Sequence, residues 1–322
     1  MARLIWPLVV AGMLVALPSD RAAAQAYPSG PIKMLVGFAP GGTADIIARE
    51  IGGELERTWK QSVVVENRTG ANGAVATTQL ARMAPDGYNL MSIVSGHITN
   101  PLISPTAVYD PIKDFTPICL VGSSPLLIFA HPGFPANNMT EALALAKAKP
   151  GTISFATPGV GSIQQLSMEL VAYLSGTKFI HVPYRGGAPA VNDVIAGHVP
   201  ISVNSVFQAL PYIQQKTLKP LAVTALKRTE LLPDVQTVSE AGVADYEASL
   251  MFGIIGPAGM PPDVVNKLNA EIVRIINTPQ MREKFTRQGV LPIAGSPAEF
   301  IAFMRTEQDK WAKVIKAANI KE

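Results

Sequence analysis

Between an apolar run and a helical pattern, the chain carries Pro40-Gly41-Gly42-Thr43. Such a turn leaves the N–H groups of Gly42, Thr43 and Ala44 unpaired at a helix N-terminus, where they and the helix dipole attract an anion. The turn holds no lysine or arginine, so the chemistry on offer is capture of a carboxylate by backbone donors alone. Two later segments repeat the unit. Pro158-Gly159-Val160-Gly161 precedes a helix pattern opening at Ser162, and Gly186-Gly187 precede one that starts near Ala188 and ends at Gly197. Ser162 and Gln165 fit an S-x-x-Q capping box, in which each side chain satisfies the other's backbone N–H. The second turn therefore reads either as an anion site or as a well-capped helix start.

Further polar groups sit at strand ends. SGHITNP places Ser95, His97, Thr99 and Asn100 at the carboxyl end of an apolar strand, the end at which open α/β sheets hold their ligands. These four read either as donors for a small polar solute or as turn formers, since Asn-Pro favours turns. Asn204 and Ser205 end the run VPISVNSV and are placed as hinge contacts. Tyr184 either offers its hydroxyl to a ligand or covers the hinge. The neighbouring Arg185 opposes the helix dipole, which favours a solvated loop residue over a carboxylate partner. Asp45 and Arg49 have the i, i+4 spacing of a local ion pair, and Asp45 also lies near enough to the first turn to meet a ligand ammonium group.

Other chemistries find no footing. His97, His131, His181 and His198 are far apart, without metal-ligand spacing, and no G-x-S-x-G elbow is present. G-V-G-S-I-Q fails as a dinucleotide fingerprint because Gln164 takes the third glycine position, and residues 38–45 contain no P-loop. No metal or cofactor is expected. The formal charge is +3, falling to +2 without Arg3, Asp20 and Arg21, and the basic residues are scattered. Nucleic acid needs a basic stripe, so it is excluded as a partner. The single cysteine, Cys119 in PICLVG, cannot form an internal disulfide and reads as a small buried hydrophobe.

Residues 1–26 have the form of an export signal: Arg3, an apolar core over 4–17, and a cleavage site at Ala24-Gln25-Ala26. The roughly 296 residues that follow suggest two domains. Strand patterns cover 32–38, 62–67, 88–95, 152–158, 178–184, 199–206, 219–226 and 251–259. Helical patterns fill 43–57, 73–83, 140–148, 162–174, 188–196, 207–215, 262–277, 279–288 and 297–317, an alternation that predicts an α/β fold with mostly parallel sheets. PICLVGSSPLLIFAHP (117–132) reads as two apolar segments joined by Gly122-Ser123-Ser124-Pro125, long enough to leave one sheet and enter another. MFGIIGPAG crosses back, and the C-terminal helices then pack on the first lobe. That gives lobe 1 over 27–125 and 246–322, lobe 2 over 126–245, and a hinge over a cleft. Residues 227–247 read as a surface connection.

These segments carry a family resemblance. YPSGPIKMLVGFAPGGTADIIAR, VVVENRTGANGAVA, APDGYNLM, HITNP, YDPIKDFTPI, ATPGVGS, HVPYRGGAPAVNDVIAGHV, LAVTALKRTELLPDVQTVSEAG and GPAGMPPDVVNKLN run in order from Tyr27. The chain resembles the periplasmic substrate-binding proteins of tripartite tricarboxylate transporters, the Bug receptors. The resemblance implies a two-lobed, type II periplasmic-binding-protein (Venus flytrap) fold with two hinge crossings, closing on a small organic carboxylate. It maps carboxylate contacts onto Phe38, Ala39, Gly41, Gly42, Thr43 and Asp45, and onto Gly159, Val160, Gly161 and Ser162. Gln165 stands where relatives often carry histidine, and Met251 where they often carry tryptophan, so the cleft is expected to differ from theirs. A dicarboxylate, an aromatic acid or an acidic amino acid is the expected ligand, held by a periplasmic monomer. The expected partner is an integral-membrane transporter or a sensor kinase; an exported α/β enzyme is the remaining alternative.

Overall fold

The computed structural model describes residues 27–184 and 186–321. The export signal expected over 1–26 and both readings of Arg185 lie outside them. The chain runs β1 (Ile32–Val36), α1 (Thr43–Trp59), β2 (Val63–Asn67), α2 (Ala74–Leu80), β3 (Asn89–Val94), α3 (Gly96–Ile103) and β4 (Phe115–Ala130). Next come α4 (Met139–Ala148), β5 (Ser154–Thr157), α5 (Ile163–Ser175), β6 (Ile180–Pro183), α6 (Gly187–Ile195), β7 (Ile201–Ser205), α7 (Val206–Gln214) and β8 (Lys219–Val223). The last elements are β9 (Ser249–Pro257), α8 (Pro262–Ile276), α9 (Pro279–Arg287), β10 (Leu291–Gly295) and α10 (Pro297–Ala318).

The strand order β2-β1-β3-β9-β4-β7-β5-β6, with β8 and β10 also on β4, divides into two sheets that share β4. β4 pairs with β9 from Phe115 to Pro125 and with β7 from Leu126 to Ala130. The expected joint at Gly122–Pro125 is therefore not a loop between two segments. It stays extended because β9 pairs with it as far as Pro125, and the sheet changes at the next residue. β9 supplies the return crossing, giving the two-lobed α/β architecture.

The sheets are mixed, which corrects the expectation of mostly parallel pairing. β1 with β2 and β3, and β5 with β6 and β7, run parallel. The pairs made by β4 and β9 all run antiparallel. The reason lies in the crossings: the chain passes between lobes on strands, so the returning strand enters reversed.

Each sheet is covered on both faces. In the first lobe, Ile47, Ile51 and Leu55 of α1 pack with Leu268 and Ile272 of α8 against β1. The other face takes Leu80 and Ile98 with Phe300 and Met304 of α10. In the second, Leu166 and Val171 of α5 lie on one face and Val191, Val194 and Ala209 on the other. Helix α10 departs from expectation. Its first half packs on lobe 1, but Trp311, Val314 and Ile315 join the core of lobe 2. At 22 residues it spans about 33 Å, enough to bridge both lobes.

Residues 227–247 are more than a surface connection, because Val238, Val243 and Tyr246 are buried in the same core. The Tyr246 hydroxyl lies 2.8 Å from Ser167 Oγ. LPIAG forms the unforeseen β10, whose Pro292 is tolerated because it lies on an edge strand. Cys119 is a fully buried hydrophobe, and burial pushes its thiol up to about 12.

Candidate functional site

A cleft of about 1040 Å³ opens between the lobes. Five helices of eight or more residues present their N-terminal residues to it. From the first lobe come Gly42, Thr43 and Ala44 of α1 and Gly96 of α3; from the second come Ser162, Ile163 and Gln164 of α5, Gly186 and Gly187 of α6, and Ser205 and Gln208 of α7. The first N–H groups of each helix have no intrahelical acceptor, and each N-terminus carries a partial positive charge. Among the described lining residues there is no Asp, Glu, Lys, Arg or His. Apolar walls come from Phe38, Val94, Val160, Ile163, Leu250 and Phe252. The arrangement suits an oxygen-rich anion with an apolar body.

Of the residues singled out in the sequence, Phe38, Ala39, Gly42, Thr43, Gly159, Val160, Ser162, Tyr184, Asn204 and Ser205 line the cleft. Gly41, Asp45, Ser95, His97, Thr99, Asn100, Gly161 and Gln165 do not; they brace what does. Asp45 is turned inward, with only 2 % of its surface exposed. Its carboxylate accepts the Gly41 N–H at 2.9 Å, Asn67 Nδ2 at 2.8 Å and Arg49 Nε at 3.0 Å. Asn67 Nδ2 also donates to the Phe38 carbonyl at 2.9 Å. The first turn is thus tied to the end of β2, and the expected ion pair with Arg49 is present. The second role considered for Asp45, meeting a ligand ammonium group, is not supported by this geometry.

Burial by itself would raise the Asp45 pKa, but the hydrogen bonds from Arg49, Gly41 and Asn67 outweigh it and hold the carboxyl below its ordinary value. A depressed folded pKa stabilises above the unfolded value of about 3.9 and is lost as pH falls through the folded one. Acid unfolding followed by circular dichroism is expected to show this: Asp45→Asn loses part of the pH dependence below about pH 4. The same substitution should weaken carboxylates with and without an ammonium group alike. A loss confined to amino acids would overturn the bracing role.

The SGHITNP segment is a helix, not a loop of turn formers. α3 forms despite Pro101 because His97, Ile98, Thr99, Asn100 and Ile103 are all buried, and tertiary burial overrides local turn preference. His97 Nε2 lies 2.8 Å from the Pro111 carbonyl, and burial pushes its pKa down to about 4. Ser95 Oγ accepts the Met251 N–H at 3.0 Å at the crossing. Thr99 Oγ1 donates to the Gly161 carbonyl at 3.3 Å, a contact between the lobes. Asn100 and Asn72 exchange hydrogen bonds at 3.0 Å, fixing the loop after β2.

At the second turn, Ser162 Oγ accepts the Gln165 N–H at 3.3 Å, which is half of a capping box. The other half lands one residue early, because Gln165 Oε1 accepts the Gly161 N–H at 2.8 Å. Gln165 therefore holds the turn from behind. Met251 is buried away from the cleft, and the neighbouring Leu250 and Phe252 face it instead. The Tyr184 hydroxyl donates to Asp193, and burial together with that carboxylate pushes it up to about 12.

The chief omission of the sequence reading is Thr69-Gly70-Ala71-Asn72-Gly73, which lines the cleft from the start of α2. Gly70 and Gly73 adopt φ of 138° and 90°, and Asn72 48°. A Cβ on Gly37 would stand 2.7 Å from Gly73 Cα, so the two backbones touch. The signal was present: a strand, a Gly/Asn turn and a helix start, as in the other units.

Two lobes hinged on paired strands about a cleft of backbone donors define a solute-binding receptor of the periplasmic kind. The chain belongs to the tripartite tricarboxylate transporter receptor family, whose model matches residues 47–320. This is a family of binding receptors and not of enzymes. BugT of Bordetella pertussis is 32 % identical over 318 residues, covering 98 % of each chain. A Rhodopseudomonas palustris protein solved with adipate superposes with a TM-score of 0.85 at 31 % identity, over 92 % of this chain and 99 % of that one. MatC of the same organism, solved with bound malate, gives 0.80 at 30 % identity, over 90 % and 100 %. The family resemblance read from the sequence is thereby borne out.

Proposed function

We propose that the protein captures a small organic carboxylate in the interlobe cleft and presents it to the membrane subunits of a tripartite transporter. One observation carries this reading: helix N-termini from both lobes face one cleft in which the described residues include no charged side chain. The relatives with adipate and malate support the ligand class. We assign residues 1–26 to export. Lobe 1 takes 27–125 and 246–322 and lobe 2 takes 126–245, with Tyr246 and the end of α10 docked across.

A thermal-shift screen of the chain from Tyr27 against adipate, malate and their diamides tests the reading. A ligand at about 100 times its dissociation constant adds roughly 2.7 kcal/mol, which raises the midpoint by a few degrees in a chain of this length. The acids should shift the midpoint and the diamides should not. Equal response to acid and amide, or none to any carboxylate, would sink the proposal.

A further inference from the structure

Asn204 ends β7 at the second-lobe wall of the cleft and is 1 % exposed. Its Oδ1 accepts the Ser205 N–H at 3.0 Å, which fixes which way the amide points. Nδ2 is left without a hydrogen-bond partner. Buried amide donors are rarely left unpaired, because desolvating one without a partner is costly.

The donor is itself buried, and the residue packed beside it is a glycine. A Cβ on Gly187, the first residue of α6, would stand 2.6 Å from Asn204 Nδ2 and 2.6 Å from Gln208 Oε1. Glycine leaves a notch there that any other residue would fill. Three other polar side chains of the lining are already engaged: Ser162 Oγ donates to the Gly159 carbonyl at 2.7 Å, Asn72 Nδ2 to Asn100 Oδ1, and Tyr184 to Asp193. The N-terminus of α1, the site expected to hold one carboxylate, belongs to the opposite lobe. The same cleft is lined by the apolar Val94, Leu250 and Phe252, and no described lining residue is an acidic side chain able to meet an ammonium group.

We propose that Asn204 Nδ2 donates to the second carboxylate of the ligand, so that the cleft selects dicarboxylates with an apolar middle over monocarboxylates of equal length. This rests on the carboxylate-receptor reading above and adds a specificity residue to it. The donor belongs to one lobe and the α1 turn to the other, so a two-ended acid ties the lobes together where a one-ended acid does not.

Calorimetric titration of the chain from Tyr27 with two pairs of equal length, adipate with hexanoate and malate with 3-hydroxybutyrate, tests it. The unsubstituted protein should favour the diacid in whichever pair it binds. In Asn204→Asp, which keeps the acceptor for Ser205 but presents a charge of the ligand's sign, the diacid preference should fall roughly tenfold or more. Asn204→Leu, of similar size, should lower it too and serves if the aspartate variant does not fold. An unchanged preference in a folded variant, or equal binding of both members by the unsubstituted protein, overturns the role of Asn204 and leaves the receptor reading standing. Binding of no acid by the unsubstituted protein overturns that reading and this one with it.

Discussion

Gly42→Val should weaken carboxylate binding by roughly 100-fold or more, about 2.7 kcal/mol, in a protein that still folds. Gly42 is the N-cap of α1, at φ −74° and ψ 160°, extended backbone that valine adopts without strain. A Cβ there would meet nothing closer than the Ala39 carbonyl at 3.6 Å. The stability change should therefore stay within about 1 kcal/mol, the usual scale for an altered cap. Gly42 lines the cleft, however, and a branched side chain on it would occupy the space in front of the Thr43 and Ala44 N–H groups. Titration calorimetry with a melting curve separates the two effects. Unchanged affinity would remove the α1 turn from the site. Gly41→Val makes the contrast, because Gly41 sits at φ +82°, where valine strains the backbone.

The largest effect on stability is expected at Trp311→Ala, a loss of about 3–5 kcal/mol from the void left by a buried aromatic ring. Trp311 is fully buried in the second-lobe core. Its Nε1 donates to Glu307 Oε2 at 2.7 Å, and Glu307 is itself 8 % exposed. Truncation thus opens a cavity and strips a partner from a buried carboxylate at once. Calorimetry should record a midpoint lowered by roughly 5–10 °C. Trp311→Phe, which refills most of the volume and loses the hydrogen bond, should lower it less. A melting temperature unchanged by the alanine variant would mean that the end of α10 contributes little to lobe 2.

The legible parts of this fold are those whose signals lie side by side in the chain. IKMLVGF, Pro40-Gly41-Gly42 and the helical pattern from Thr43 are contiguous, so the first unit can be read directly. α3 is different. Its polar His97, Thr99 and Asn100 are buried along with Ile98 and Ile103, so polarity does not mark an outer face to set a period, and Pro101 reads as a break. Asp45 shows a further limit. Its spacing to Arg49 was legible, but its bond to Asn67, 22 residues away, turns it from the cleft. The orphaned donor of Asn204 likewise exists only once Ser205 has taken its oxygen and Gly187 has left its notch. Local chemistry was readable in one dimension; which groups are already engaged was not.

The position of β9 carries a consequence for assembly. It lies between β3 and β4 in the first sheet, pairing Val94 with Phe252 on one side and Ser124 with Leu250 on the other. β3 and β4 therefore have no shared neighbour until residues 249–257 arrive, after every strand of the second sheet has been made. Contacts between partners this distant in sequence form late. A chain emerging from its N-terminus would hold the first sheet as two unjoined pieces, with one edge of β3 and both edges of the first half of β4 exposed, until its final quarter supplies β9 as the wedge between them and then β10.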